Sequence, residues 1–225
     1  MQHALFGKLP AKRDFVGVRT PRAFLGVWEP WLQAAMSSSR NTLSDRWQPA
    51  FLKAPIWRFW LGSSLCGVST LGAWMPSVDA VGRYFPLALA AIADPGEEFP
   101  APALEPQERW FEAAESVLLD ALQADRPLEA TIAALDRLPP LDRPAIPLAE
   151  DVIETRPETF VTRAADRGFR AAFGRLGAIP AATLHRGSSF WWTEGGEDFE
   201  RLCLICPGMP DPFIMATMLT GEANP

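Results

Sequence analysis

Between two apolar runs lies Met75-Pro-Ser-Val-Asp-Ala-Val-Gly-Arg-Tyr-Phe-Pro-Leu87, a stretch whose residues admit few backbone paths in common. The prolines at 76 and 86 restrict each flank, Gly82 can take a positive φ, and Asp79 can accept from backbone amides two positions on. The stretch therefore reads as a loop of defined shape joining two strands. Asp79 and Arg83 carry opposite charges four residues apart, close enough to pair across such a turn, where an exposed pair contributes about 1 kcal/mol or less.

The flanks support that reading. Residues 71–76 and 84–92 predict two strands. Residues 56–61 predict a third, central one, with Ile56, Arg58 and Trp60 on one face and Trp57, Phe59 and Leu61 on the other. The connections are too short for a helical crossover, so the three form an antiparallel meander. Arg58, set among large apolar neighbours, requires a carboxylate or backbone carbonyls, because an unpaired buried charge is strongly destabilising. Upstream, residues 4–9 read as a strand and 10–19 as a loop. Thr20 as N-cap and Pro21 at the first helical position precede Phe24, Val27, Trp28, Trp31, Leu32 and Ala35, spaced by three and four residues. This predicts an amphipathic helix of about five turns, kinked by Pro30 and ending near Ser37–Ser39. A short helix over 44–51 follows, with Leu43, Trp47 and Phe51 as anchors.

Downstream, residues 94–106 form an exposed connection. Trp110, Phe111, Ala114, Val117, Leu118, Ala121 and Leu122 then make a helical stripe opposite Glu108, Glu112, Glu115 and Asp120. A shorter helix over 128–138 leads to a stiff link at 139–149 containing Pro139, Pro140, Pro144 and Pro147, the best place for a subdivision. Residues 158–174 predict a further helix. Ser188–Thr193 and Phe199–Cys206 predict a hairpin, and Asp211-Pro212 begins a final, apolar helix. Together these elements predict a single-domain α/β fold, a three-layer α-β-α sandwich around a mixed, largely antiparallel sheet.

Composition narrows the function. The 225 residues are 48% hydrophobic, enough for one substantial core. Net charge is −6, and Lys12-Arg13 is the one basic cluster, so the field that gathers on a phosphate backbone is missing and nucleic acid is not an expected partner. The N-terminus lacks an apolar targeting segment, and the longest apolar run, Phe85–Ala93, is under half of the ~20 residues that span a membrane. Three cysteines cannot all pair within one chain. These features predict a cytoplasmic protein.

Chemistry-bearing motifs are sparse. Cys203 and Cys206 have redox or zinc spacing, but a strand puts them on opposite faces, and two core cysteines are the favoured reading. His3 and His185 are the only histidines, and no Gly-x-Ser-x-Gly elbow accompanies them. Glu150, Asp151 and Glu154 could hold a divalent cation, though a solvated helix start accounts for them better. No phosphate-binding glycine motif occurs, and neither a cofactor nor a catalytic residue is expected. Of the nine tryptophans, Trp57, Trp60, Trp110 and Trp191 fit core patterns, whereas Trp74 and Trp192 are candidate exposed anchors for a protein partner. Asp14, Arg58, Asp79 and Arg83 can converge as a balanced ionic cluster at the strand ends. That cluster either holds the loops or forms a partner surface or a polar ligand pocket on a rigid frame.

Five blocks together resemble a known family. Gly7-Lys-Leu-Pro10 with Asp14-Phe15, Ala54-Pro-Ile-Trp-Arg-Phe59, Met75–Leu87, Trp191-Trp-Thr-Glu-Gly195 and Gly208-x-Pro-Asp-Pro212 look like the TagF/ImpM family of bacterial type VI secretion, across roughly residues 4–220. Lys12-Arg13, where the family usually has a glycine before the aspartate, and Pro30 depart from its pattern. Some relatives carry a fused phosphatase domain; none is expected here. The resemblance implies a compact α/β sandwich without catalytic residues. It also implies an accessory protein that keeps the apparatus off after translation by binding a forkhead-associated scaffold protein.

Overall fold

The computed structural model describes residues 1–102, 106–142, 153–156, 159–161 and 185–222. Its centre is a seven-stranded sheet. In chain order the strands are β1 (Gln2–Gly7), β2 (Val16–Val18), β3 (Trp57–Leu61), β4 (Thr70–Met75), β5 (Leu87–Ile92), β8 (Ser188–Thr193) and β9 (Leu202–Pro207). Spatially they run β2-β1-β5-β4-β3-β8-β9, and β6 (Ile153–Arg156) and β7 (Thr159–Val161) make a separate pair. Every pairing is antiparallel. The expected β3-β4-β5 meander is present, with Trp57 opposite Trp74 and Met75 opposite Leu87.

Alternation along the strands builds two cores. Phe6, Trp57, Phe59, Leu61, Trp74 and Trp191 face one side, while Leu5, Trp60, Leu71, Met75, Leu87 and Leu89 face the other. The first side is covered by α1 (Arg22–Leu43), α2 (Trp47–Lys53), the short α3 (Ser63–Cys66) and α6 (Ile214–Thr220), the second by α4 (Glu108–Ala121) and α5 (Leu128–Leu135). A sheet with two apolar faces needs a helical layer on each, which yields the three layers.

Trp28 of α1 sits at the middle of the first core. Its ring centroid is 4.5 Å from that of Phe59 on β3 and 5.8 Å from that of Trp191 on β8, joining one helix to two strands. At position 72 of β4 the packing excludes any side chain, because a Cβ would lie 2.5 Å from the Phe59 ring.

Several sequence expectations are corrected. Helix α1 starts at Arg22, with Pro21 extended before it and no side-chain cap from Thr20. It continues through Pro30 and past Ser37–Ser39 to Leu43, because Ser39 is buried, donates to the Met36 carbonyl at 3.0 Å and accepts from Trp47 Nε1 at 2.9 Å. Val16–Val18, expected in a loop, pairs with β1. Thr159–Val161, expected as a helix start, is a strand, and residues 162–174 of that expectation lie outside the described residues. So do Glu150, Asp151, Pro144 and Pro147, while Glu154 falls on β6. Cys203 is exposed and Cys206 half-buried, because β9 is the last strand of the sheet; the core cysteine is Cys66, whose thiol burial pushes up to about 12. Asp211 accepts from the Phe213 amide at 2.9 Å, but α6 begins at Ile214 and Phe213 itself is 69% exposed.

Two outcomes follow from this packing. Trp28→Ala removes the side chain that holds α1 to two strands and is expected to cost about 3–5 kcal/mol in urea unfolding. His3 accepts from Trp110 Nε1 at 3.3 Å and donates to the Leu135 backbone. Burial is the largest influence and lowers its pKa from 6.5, so the unfolded chain takes up the proton first. Stability is then full above pH 6.5 and falls as pH drops through that value towards the folded pKa. His3→Gln should flatten that slope in urea midpoints measured on both sides of it.

Candidate functional site

The loop after β4 is held from beneath by β1. Gly7 ends that strand at φ 141°, where a Cβ would lie 2.1 Å from the Pro86 carbonyl oxygen, so only glycine lets the chain pass this close to the loop. The next residue, Lys8, is thereby buried under the loop. Its Nζ donates to Asp79 Oδ2 at 2.5 Å and lies 4.6 Å from the centre of the Phe15 ring.

Asp79 collects the loop around this contact. Oδ1 accepts from the amides of Val81 and Arg83 at 3.0 and 2.9 Å, and Oδ2 also accepts from Arg83 Nε at 2.7 Å. The backbone closes the same turn. Asp79 N donates to the Arg83 carbonyl and Gly82 N to the Asp79 carbonyl, each at 3.0 Å, with Gly82 at φ 84°. Ala80 N donates to the Lys12 carbonyl, Ser77 Oγ to the Lys8 carbonyl, and Arg83 Nη2 to the Arg13 carbonyl, tying the loop to residues 8–13. Burial alone would raise the Asp79 pKa. The Lys8 ammonium, the Arg83 amide and guanidinium and the Val81 amide outweigh it and hold the carboxyl well below the usual carboxylate range.

A second ionic centre lies on the α4 side of the sheet. Arg58 of β3 is buried; its Nε donates to Glu115 at 2.5 Å and its Nη1 to Glu108 at 2.7 Å, with Glu194 3.5 Å away. Its guanidinium stands 5.1 Å over the Phe111 ring. Burial opposes its charge, and Glu115 and Glu108 more than compensate, raising its pKa.

The expected convergence of Asp14, Arg58, Asp79 and Arg83 therefore does not occur. Asp79 and Arg83 meet as predicted, joined by Lys8. Arg58 belongs to the other centre, and Asp14 is exposed with no ion pair among the described residues. With Asp79 and Arg58 each buried and paired with partners of their own, a polar pocket shared by Asp79, Arg83 and Arg58 is not formed. Trp74, expected as an exposed anchor, is fully buried, because strand alternation sends it into the α1 side of the core. Trp192 is half-buried, with its ring 5.0 Å from that of Phe111. Lys8 was not singled out in the sequence, although a lysine inside an otherwise apolar strand end was a signal. Glu108 and Glu115, read only as lying opposite the apolar stripe of α4, hold Arg58.

Arg83 is the charged member of the loop that reaches the surface, with a side chain 57% exposed, beside the exposed Val81. It borders a cleft of about 610 Å³ against α1. Among the described residues no group of three or more His, Cys, Asp and Glu side chains could hold a metal ion.

Comparison with known proteins agrees with this architecture. A family model described as the TagF N-terminal domain, type VI secretion system-associated, matches residues 4–138. The crystal structure of PA0076 from Pseudomonas aeruginosa PAO1 is similar at a TM-score of 0.78 and 30% identity, covering 99% of this chain and 96% of that one. No curated protein matches.

The Lys8–Asp79 contact generates a stability test. Asp79→Asn leaves a buried ammonium without its counter-charge and is expected to lower the melting midpoint by on the order of 10 °C. Lys8→Met with Asp79→Asn should cost less than the two single changes added together, the signature of a direct pair. Because the folded pKa of Asp79 is depressed, its contribution is present above the ordinary value of 3.8 and lost as pH falls through the folded value. The acid limb of the stability curve should therefore lose that component in Asp79→Asn.

Proposed function

The chain belongs to the TagF family of type VI secretion system-associated proteins, and on that premise we propose that it is a non-catalytic, post-translational repressor of the secretion apparatus. It acts in the cytoplasm by binding the forkhead-associated scaffold protein of that apparatus. The observation that carries this reading is the family match over residues 4–138, which includes both the Lys8 strand end and the Met75–Leu87 loop.

The physical features support binding rather than turnover. The charged side chains that stood out as candidates for a polar ligand pocket are engaged: Asp79 by Lys8, Arg83 and two amides, and Arg58 by two glutamates. A loop held by that many bonds presents Arg83 in one orientation, and a preorganised surface loses less entropy on association. No helix among the described residues is long and apolar enough to cross a membrane.

Deleting the gene is expected to raise release of secreted substrates while the levels of apparatus components stay constant. The purified chain should co-elute with purified forkhead-associated scaffold in size-exclusion chromatography. Unchanged secretion, or separate elution of the two proteins at concentrations well above the micromolar range, would overturn the proposal.

A further inference from the structure

The cleft beside Arg83 joins two cationic side chains to an apolar base. It runs between the C-terminal half of α1 and the end of the Met75–Leu87 loop, with Gln33, Ser37, Arg40 and Asn41 along one wall and Arg83 and Tyr84 on the other. Its floor is apolar, supplied by the buried Met36 and Phe85. Arg40 and Tyr84 also line an adjoining cleft of about 510 Å³ with Ser44, Asp45, Trp47 and Gln48, so the two clefts share a wall and join into one depression, in which Asp45 is the one carboxylate on the lining. The first part holds two arginines and no carboxylate, on a chain whose net charge is −6.

Both arginines are oriented before anything binds. Arg40 lies 4.3 Å from the centre of the Trp47 ring and has no ion pair among the described residues, so all five N–H donors of a guanidinium are available. Arg83 is held through Nε by Asp79 and through Nη2 by the Arg13 carbonyl, which leaves its remaining N–H groups for the cleft. Tyr84 is set by its hydroxyl, which accepts from Gln48 Nε2 at 2.6 Å. Cationic walls on an apolar floor complement a chain segment that alternates acidic and apolar side chains. The volume of either cleft exceeds what one small anion fills.

We propose that this depression is the docking groove for an acidic, extended segment of the protein partner, with partner carboxylates on Arg40 and Arg83 and an apolar side chain on Met36 and Phe85. The inference rests on the repressor reading for the identity of the partner, the scaffold protein, but the groove's own chemistry is testable without it.

Arg40→Glu is the decisive variant: the side chain is exposed and its ring contact is with Trp47, so that, with the favourable charge in the last turn of α1 also lost, the melting midpoint should fall by only a few degrees. Titrated with the purified scaffold, it should bind at least about tenfold more weakly, while Arg40→Lys keeps most of the affinity and binding weakens with added salt. Equal binding by Arg40→Glu and the parent would overturn the groove and leave the scaffold reading intact. If the parent chain does not bind the scaffold, that reading fails, and a fluorescent peptide of alternating glutamate and leucine decides the groove. Binding by the parent but not by Arg40→Glu, or by the lysine counterpart of the peptide, supports it. Equal binding by both proteins, or by neither, overturns it. Displacement of the peptide by inorganic phosphate at comparable concentration would make this a small-anion site and overturn the segment reading.

Discussion

A carboxylate shut off from water persists as a charge only if every oxygen is answered, and Asp79 meets that condition with four donors. Meeting it dictates much of the surrounding structure. Lys8 must come from beneath, which requires β1 to press against Pro86, which in turn requires glycine at position 7. Two amides must come from the loop itself, which requires the turn that Gly82 permits. The loop has one shape because the burial of one charge leaves no other.

The second ionic centre solves the same problem on the opposite side of the sheet. Arg58 stands where a central strand meets α4, and without Glu108 and Glu115 it would be an uncompensated charge in an aromatic core. It orients α4 on the sheet, whereas the Asp79 centre orients the loop. In each centre the buried charge is answered by partners of its own, so its role is positional. The groups left to act on other molecules are those they display, Arg83 above all, with Arg40 across the cleft from it.

The candidate site was legible to the extent that its members are close in sequence. Asp79 and Arg83 sit four residues apart in one turn, and their pairing was apparent from that spacing. Lys8 is 71 residues from Asp79, and Glu115 is 57 from Arg58, so no local spacing points from one to the other. Trp74 shows the opposite failure. Its position between apolar neighbours allowed either face, and only a helical layer on each side of the sheet, α1 and α2 on one and α4 and α5 on the other, made both faces of β4 interior. The end of α1 was missed because three consecutive serines read as a stop, while Ser39 was satisfied by Trp47 from the next helix.

The sequence by itself determined most of the helices and strands, the antiparallel order of β3, β4 and β5, and the loop's turn. Period-two and period-3.6 patterns, short connections and turn residues act over a few positions, and such forces are written where they operate. Only the tertiary structure decided which cation answers Asp79, which acids answer Arg58, and which arginines share a cleft. Those partners are chosen by the cost of leaving a charge dry in a folded interior, and that cost exists only once distant strands and helices have been brought together.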